Sequence, residues 1–267
     1  MPQCQICNSH AEPFLSFGEM PIANGFLSEG QFADEFYFNL EVGVCSSCAM
    51  VQLMELVERE RMFNENYAFF SSTSSRMSTH FRQLSMWLRE TYLENDNPFV
   101  VEMGSNDGIL LKNFVEWGTR HLGVEPSENV ADVARENGVN TECRFFDEDY
   151  ARDVVDRHGQ ADAFIGANVL CHIPSLDSVA LGLKTLLKPK GVAVFEDPYL
   201  GDILDRTSYD QIYDEHVFLY SVHAVQYLFQ QYGMEVVNVQ PQVTHGGSMR
   251  YFCWPSCIGN SANDTPA

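Results

Sequence analysis

Val100-Val-Glu-Met-Gly-Ser-Asn-Asp-Gly108 decides how the rest of this 267-residue chain is read. Its apolar start has the composition of a short buried strand, and its glycines place a tight turn directly after it. A glycine in that position lets the backbone approach a bound nucleotide cofactor, with a helix beginning nearby. The stretch departs from the dinucleotide fingerprint: Asn106 stands at the second glycine position, and Asp107-Gly108 follows at once.

Downstream, strands and helices alternate. Strands are expected at 99–103, 121–125, 143–146, 163–169 and 192–195. The intervening helices are expected at 108–117, from Ser127 as cap to 137, from Asp147 onward, and at 176–187. A helix at 221–232 and strands at 235–239 and 248–253 close the pattern. Alternating units imply a parallel sheet. The last two strands have only a short connection and must pair antiparallel, because a parallel return needs about a dozen residues or more. The expected fold is therefore α/β, a class I methyltransferase with a Rossmann-like, mostly parallel seven-stranded sheet. An acidic residue in the glycine turn disfavours a pyrophosphate and suits the cationic methionine part of S-adenosylmethionine. Gly104, Asn106 and Asp107 are candidate contacts, with Glu102 before them. Glu125 ends the next strand, where a carboxylate can bind two ribose hydroxyls. Phe145-Phe146-Asp147, at the end of the third strand, is placed to flank adenine.

Upstream stand Cys4/Cys7 and Cys45/Cys48, two Cys-x-x-Cys pairs. Each spacing lets two thiolates converge on one ion from a tight turn, and two such turns complete a tetrahedral, structural Zn²⁺ shell. Residues 1–58 read as a zinc-ribbon-like module too small to fold on its core alone, with 37–44 as a strand. Gly18, Pro21, Gly25 and Gly30 punctuate a loop between the pairs. Residues 59–97 form a connecting segment whose apolar residues Met77, Phe81, Leu84, Leu88 and Tyr92 recur at helical spacing. The methyltransferase core spans 98–253, and 254–267 is expected to be a disordered tail.

A formal charge of -21 repels phosphate backbones and argues against a nucleic-acid partner. The N-terminus lacks a basic segment followed by an apolar run, and no stretch approaches the roughly 18 apolar residues that span a membrane. Metal thiolates and the absence of an export signal make a cytoplasmic location the expectation.

Two further segments fall at the ligand edge of such a sheet. Ala167-Asn-Val-Leu-Cys-His172-Ile-Pro174 offers Asn168 and His172, with Cys171 read as a buried apolar filler. Tyr213-Asp-Glu215-His216 and Tyr220-Ser-Val-His223 offer histidines near neutral pKa, an orienting carboxylate and a phenol, the parts of a general-base set.

These segments carry a resemblance. With Met20-Pro-Ile-Ala-Asn24, Tyr67-Ala-Phe-Phe-Ser-Ser-Thr-Ser74 and His245-Gly-Gly-Ser-Met-Arg250, they run in family order over residues 4–252. The chain resembles the N-terminal two-thirds of the zinc-containing S-adenosylmethionine-dependent nucleotide-sugar C-methyltransferases of deoxysugar biosynthesis. The resemblance implies methylation of a nucleotide-sugar at the carbon next to its keto group. It makes His216 the base, Glu215 its orienting carboxylate, and Tyr213 or His172 the donor to the enolate oxygen. The enolate carbon then takes the cofactor's methyl group, and Tyr67 helps to close the cofactor site. The family's further C-terminal domain is not matched, which makes a separately supplied C-terminal domain an expected partner. Two other readings stay open: a truncated, non-catalytic cofactor-binding or zinc-ribbon interaction protein, and a methyltransferase of another small molecule.

Overall fold

The computed structural model describes residues 3–256. They form a four-stranded and a seven-stranded sheet. In the smaller sheet β1 (Ala11–Pro21), β2 (Tyr37–Cys45) and β3 (Val51–Leu53) run antiparallel in chain order. Alternation along β2 buries Phe38, Leu40 and Val42 in a small core with Leu53, Val57 and Met62. The loop expected across residues 18–30 is shorter than its glycines suggested. Residues 11–21 are a strand, and Gly18 (φ +76°) lies where the register with β2 shifts between Ser16 and Glu19. A glycine in the left-handed region accommodates such an irregularity without ending the strand.

α1 (Arg59–Met62) leads to α2 (Ser75–Tyr92), which starts where the Ser74 side chain accepts the Met77 N–H and which buries Phe81, Leu84 and Leu88. The core then runs β4 (Phe99–Met103), α3 (Lys112–Glu116), β5 (Arg120–Val124), α4 (Glu128–Glu136), β6 (Thr141–Glu142), α5 (Glu148–His158), β7 (Ala161–Ala167), α6 (Leu176–Leu186) and β8 (Leu187–Pro198). It continues through α7 (Leu200–Arg206), β9 (Phe218–Leu219), α8 (Val222–Gln230), β10 (Met234–Gln242) and β11 (Ser248–Pro255). The large sheet has the order β10-β11-β8-β7-β4-β5-β6. The five strands from β6 to β8 in that order are parallel, and β11 lies antiparallel between β8 and β10. This is the sheet of a class I methyltransferase fold.

Several local expectations shift. The third edge strand is Thr141–Glu142, not 143–146, because Phe146 turns inward onto the Phe164 ring, 4.9 Å between centroids. Residues 108–111 precede α3 as a turn. Ser127 occupies the cap position of α4, but its hydroxyl makes no capping bond. Trp254 and Pro255 belong to β11 rather than to a tail, and 257–267 lie outside the described residues. β9 was not anticipated. It leaves the core to pair with β3, Val51 opposite Leu219 and Gln52 opposite Phe218, so the chain around residue 218 completes the small sheet. Among the described residues no helix is long and apolar enough to cross a membrane.

Candidate active site

The four N-terminal thiols converge. Sγ separations are 3.5 Å for Cys4–Cys48, 3.5 Å for Cys7–Cys45 and 3.7 Å for Cys7–Cys48. A tetrahedral ion with Zn–S bonds of about 2.3 Å sets its sulfurs about 3.8 Å apart, so the residues fit such an ion. The Ile6 N–H donates to Cys4 Sγ, and the Ser47 and Cys48 N–H groups to Cys45 Sγ.

At the carboxyl ends of β4, β5 and β7 opens a cleft with about 720 Å³ of free space, mouth included. Gly104, Asn106, Glu125, Phe146 and His172 line it, together with Tyr67, Phe63 and Arg59 from the segment before α2. Gly104 is required there. Its φ is +64°, and a Cβ would stand 2.6 Å from Val169 Cγ2. The two Glu125 carboxylate oxygens accept the N–H groups of Asn106 (2.9 Å) and Ser127 (3.0 Å). Burial raises the Glu125 pKa while these donors pull it back. Beneath the turn, burial and the charges of Glu125 and Asp107 hold the Glu102 pKa well above the usual range. Glu102 Oε2 and Asp107 Oδ1 are buried without partners. In the cleft itself, the open glycine turn and the Glu125 carboxylate, each of whose oxygens keeps a second lone pair, fit a cofactor that brings hydroxyl donors.

The segment 67–74 is strapped across the turn. Ser71 N–H donates to Asn106 Oδ1 (2.8 Å) and Ser72 N–H to Asp107 Oδ2 (2.9 Å). Asn106 and Asn129 in turn donate to the carbonyls of Phe69 and Tyr67.

Beyond His172 lies the acid–base cluster. The Tyr213 hydroxyl is 3.1 Å from His216 Nε2, and His216 Nδ1 is 2.7 Å from the Gln211 carbonyl. That carbonyl can only accept, so the proton is assigned to Nδ1 and Nε2 keeps its lone pair. The His172 ring stacks between Phe63 and His216, with centroids 5.6 and 5.3 Å away. Burial lowers His216 to about 4 and His172 well below its usual value, so both are neutral. Glu215 accepts from Asn24 Nδ2 (2.5 Å) and the Tyr67 hydroxyl (3.4 Å), and burial raises it to about 7. Ala23 N–H donates to Asp214 Oδ1 (2.9 Å). The loop carrying His216 is therefore held by Ala23 and Asn24 on one side and by the β9–β3 pairing on the other.

Residues 74–239 match a family described as "Methyltransferase domain", and residues 4–63 one described as "Putative zinc binding domain". The chain belongs to the methyltransferase family. It is 33% identical over 268 aligned positions to "C-methyltransferase NovU" of Streptomyces niveus, which covers 99% of this chain and 63% of that protein. The chain thus spans a little under two-thirds of that relative's length. Its fold is similar to that of the magnesium protoporphyrin IX methyltransferase of Synechocystis PCC 6803 solved with bound SAH. That TM-score is 0.51 at 14% identity, over 67% of this chain and 83% of that one. A chain from the complex between the Haloferax volcanii Trm112 methyltransferase activator and a methyltransferase is similar at TM-score 0.51 and 12% identity, over 69% and 94%.

The fold brings Tyr67, Gly104, Asn106, Glu125, Phe146 and His172 to one cleft, with Tyr213, Glu215 and His216 adjoining it. Five expectations need correction. Glu215 does not orient His216: its partners are Asn24 and Tyr67, and the Gln211 carbonyl orients the imidazole. Asp107 does not line the cleft and instead anchors the strap. Glu102 lies beneath the turn rather than in the lining, and Asn168 hangs by its N–H from the Glu196 carbonyl, its φ +55°. His223 is exposed on the first turn of α8, outside the cluster. Arg250 serves the buried Glu196, which also takes His80 (2.7 Å) and Thr244 (2.9 Å); against the pull of burial these partners hold Glu196 low. Sequence reasoning missed Asn24, Phe63 and Gln211. Asn24 stood in a matched segment without a role, and Gln211 acts through its backbone, which no side chain announces.

Proposed function

We propose that this methyltransferase uses S-adenosylmethionine to methylate a nucleotide-linked keto-deoxysugar at the carbon beside its keto group. The observation that carries the reading is His216: a buried, neutral imidazole whose Nδ1–H is committed to Gln211 and whose Nε2 lone pair faces the Tyr213 hydroxyl, which turns to the acceptor oxygen as Nε2 takes the proton. The similarity to the C-methyltransferase of Streptomyces niveus supports transfer to carbon.

In this reading the acceptor carbon gives its proton to His216 Nε2. Tyr213, whose pKa burial raises, stays protonated and donates a hydrogen bond to the enolate oxygen with His172 beside it. When bound, S-adenosylmethionine supplies the electrophilic methyl group. Of the residues that line the cleft, Glu125 would hold its ribose hydroxyls, Gly104 and Asn106 would lie along it at the turn, and Phe146 would border its base. A Zn²⁺ ion held by Cys4, Cys7, Cys45 and Cys48 shapes the module and takes no part in the chemistry. Only 2% of His216 is exposed, so acceptor entry requires the groups packed over it to move.

Glu215 is the second candidate base, because its pKa near 7 matches neutral operation better than that of His216. The deciding measurement is solvent deuterium exchange at the acceptor carbon of a nucleotide-linked keto-deoxysugar without cofactor. It is followed by mass spectrometry of product with S-adenosylmethionine, with and without a separately supplied C-terminal domain of the relative. His216→Asn is expected to cost about 10²–10⁴-fold in exchange and methylation. Normal exchange in His216→Asn with loss in Glu215→Gln moves the base to Glu215. No product under any of these conditions overturns the substrate assignment.

A further inference from the structure

Behind the cleft, Cys171, His172 and His216 each bring one ligand atom within 4.8 Å of the other two, and all three residues are buried. We propose that Cys171 Sγ, one ring nitrogen of His172 and Nε2 of His216 hold a single thiophilic divalent cation of the Zn²⁺ or Co²⁺ class, at a site separate from the four N-terminal cysteines.

The chemistry of the donors argues for a metal. One thiolate and two neutral imidazoles form a three-ligand set that leaves a fourth tetrahedral position open. His172 Nε2 is buried and has no hydrogen-bond partner, an uncommon condition for a ring nitrogen in a folded protein. His216 already shows the arrangement of a metal-bound histidine, with its other nitrogen 2.7 Å from a backbone carbonyl that fixes tautomer and ring orientation. His172 lines the cleft, which provides a route for the ion.

The balance of the binding step is simple. The Cys171 S–H bond breaks as the S–metal bond forms. The proton passes to the adjacent Asp197 carboxylate, whose Oδ1 accepts the Cys171 N–H (3.1 Å) and whose buried Oδ2 has no partner, and from there to solvent. Thiolate and carboxylate then offset the two positive charges of the ion. The Tyr213 hydroxyl, now 3.1 Å from His216 Nε2, gives up that contact. On the reading that His216 is the base, the ion occupies the lone pair that takes the proton and so blocks turnover. Metal binding itself does not depend on that reading and is measured without substrate.

The test adds Co²⁺ to the full chain carrying Zn²⁺ on its four cysteines. Cobalt binds N and S ligands less tightly than zinc and is not expected to displace it. Elemental analysis after desalting should give one zinc and one cobalt per chain, with the visible bands of tetrahedral cobalt and a thiolate-to-cobalt charge-transfer band. Cys171→Ala and His172→Gln should each keep the zinc and the unfolding midpoint yet weaken cobalt binding by more than about 100-fold, beyond the usual loss for an outer-shell partner. Absence of a second metal in the native chain, displacement of zinc by cobalt, or undiminished cobalt binding in Cys171→Ala would each overturn the proposal.

Discussion

Replacing Glu215 by glutamine should stabilise this protein at alkaline pH while leaving it unchanged in acid. Burial raises the carboxyl from its ordinary 4.5 to about 7, against the help of the Asn24 and Tyr67 donors. An acid whose folded pKa is raised contributes stability that is fully present below 4.5 and is lost as pH rises through 7. The difference corresponds to about 3 kcal/mol at pH 8, the cost of keeping a charge that is only 2% exposed inside the protein. Glutamine resembles the protonated carboxyl: its oxygen still accepts from Asn24, and its amide can donate to the Tyr67 oxygen. His216 runs the other way. Its pKa is depressed from 6.5 to about 4, so its contribution is present above 6.5 and is lost as pH falls through 4. Between pH 4.5 and 6.5 the two slopes oppose each other and flatten the native profile, which makes the variant the informative comparison. Urea unfolding of both proteins at pH 5.5 and pH 8 isolates the carboxyl, since every other group titrates in both. The variant should gain about 2–3 kcal/mol between the two pH values relative to the native chain. Parallel profiles would mean that Glu215 titrates as an ordinary surface acid, and the account of the site as a desolvated pocket would fail.

Cys45→Ser should release the metal, measured by elemental analysis, and raise hydrogen exchange both in residues 11–58 and around 213–220, because β3 pairs with β9. Exchange confined to the N-terminal segment would refute the coupling. Glu125→Ala should weaken S-adenosylmethionine binding by about 1.5–3 kcal/mol in calorimetry and strand the buried N–H groups of Asn106 and Ser127, lowering stability as well; unchanged affinity puts the cofactor elsewhere. Gly104→Ala should cost about 1–3 kcal/mol in stability from its positive φ and the clash with Val169. Adding Val169→Ala should restore only the part due to the clash, so complete rescue would show that backbone strain is absent.

Local chemistry made much of this protein readable in advance. The thiol pairs at Cys4/Cys7 and Cys45/Cys48 declare themselves because a metal needs ligands at fixed short spacing, and residues 100–108 because only a glycine tolerates the φ and contact of position 104. The alternation of buried strands and amphipathic helices follows from periodicities of two and 3.6 along the chain, so the parallel sheet and its antiparallel last strand were foreseeable. The edge strand β6 was misplaced because two residues are too few to carry a period. What no window of sequence contains is the partner across the fold. Asn24 meets Glu215 across 191 positions, and Ser71 and Ser72 meet Asn106 and Asp107 across 35. Glu215 thus turns from His216, its sequence neighbour, toward Asn24 and Tyr67, while Gln211 orients the imidazole. Residue type and spacing determined which groups were present. Burial and long-range hydrogen bonding decided which of them pair and which protons they hold, because desolvation depends on everything packed around a group and not on its neighbours along the chain.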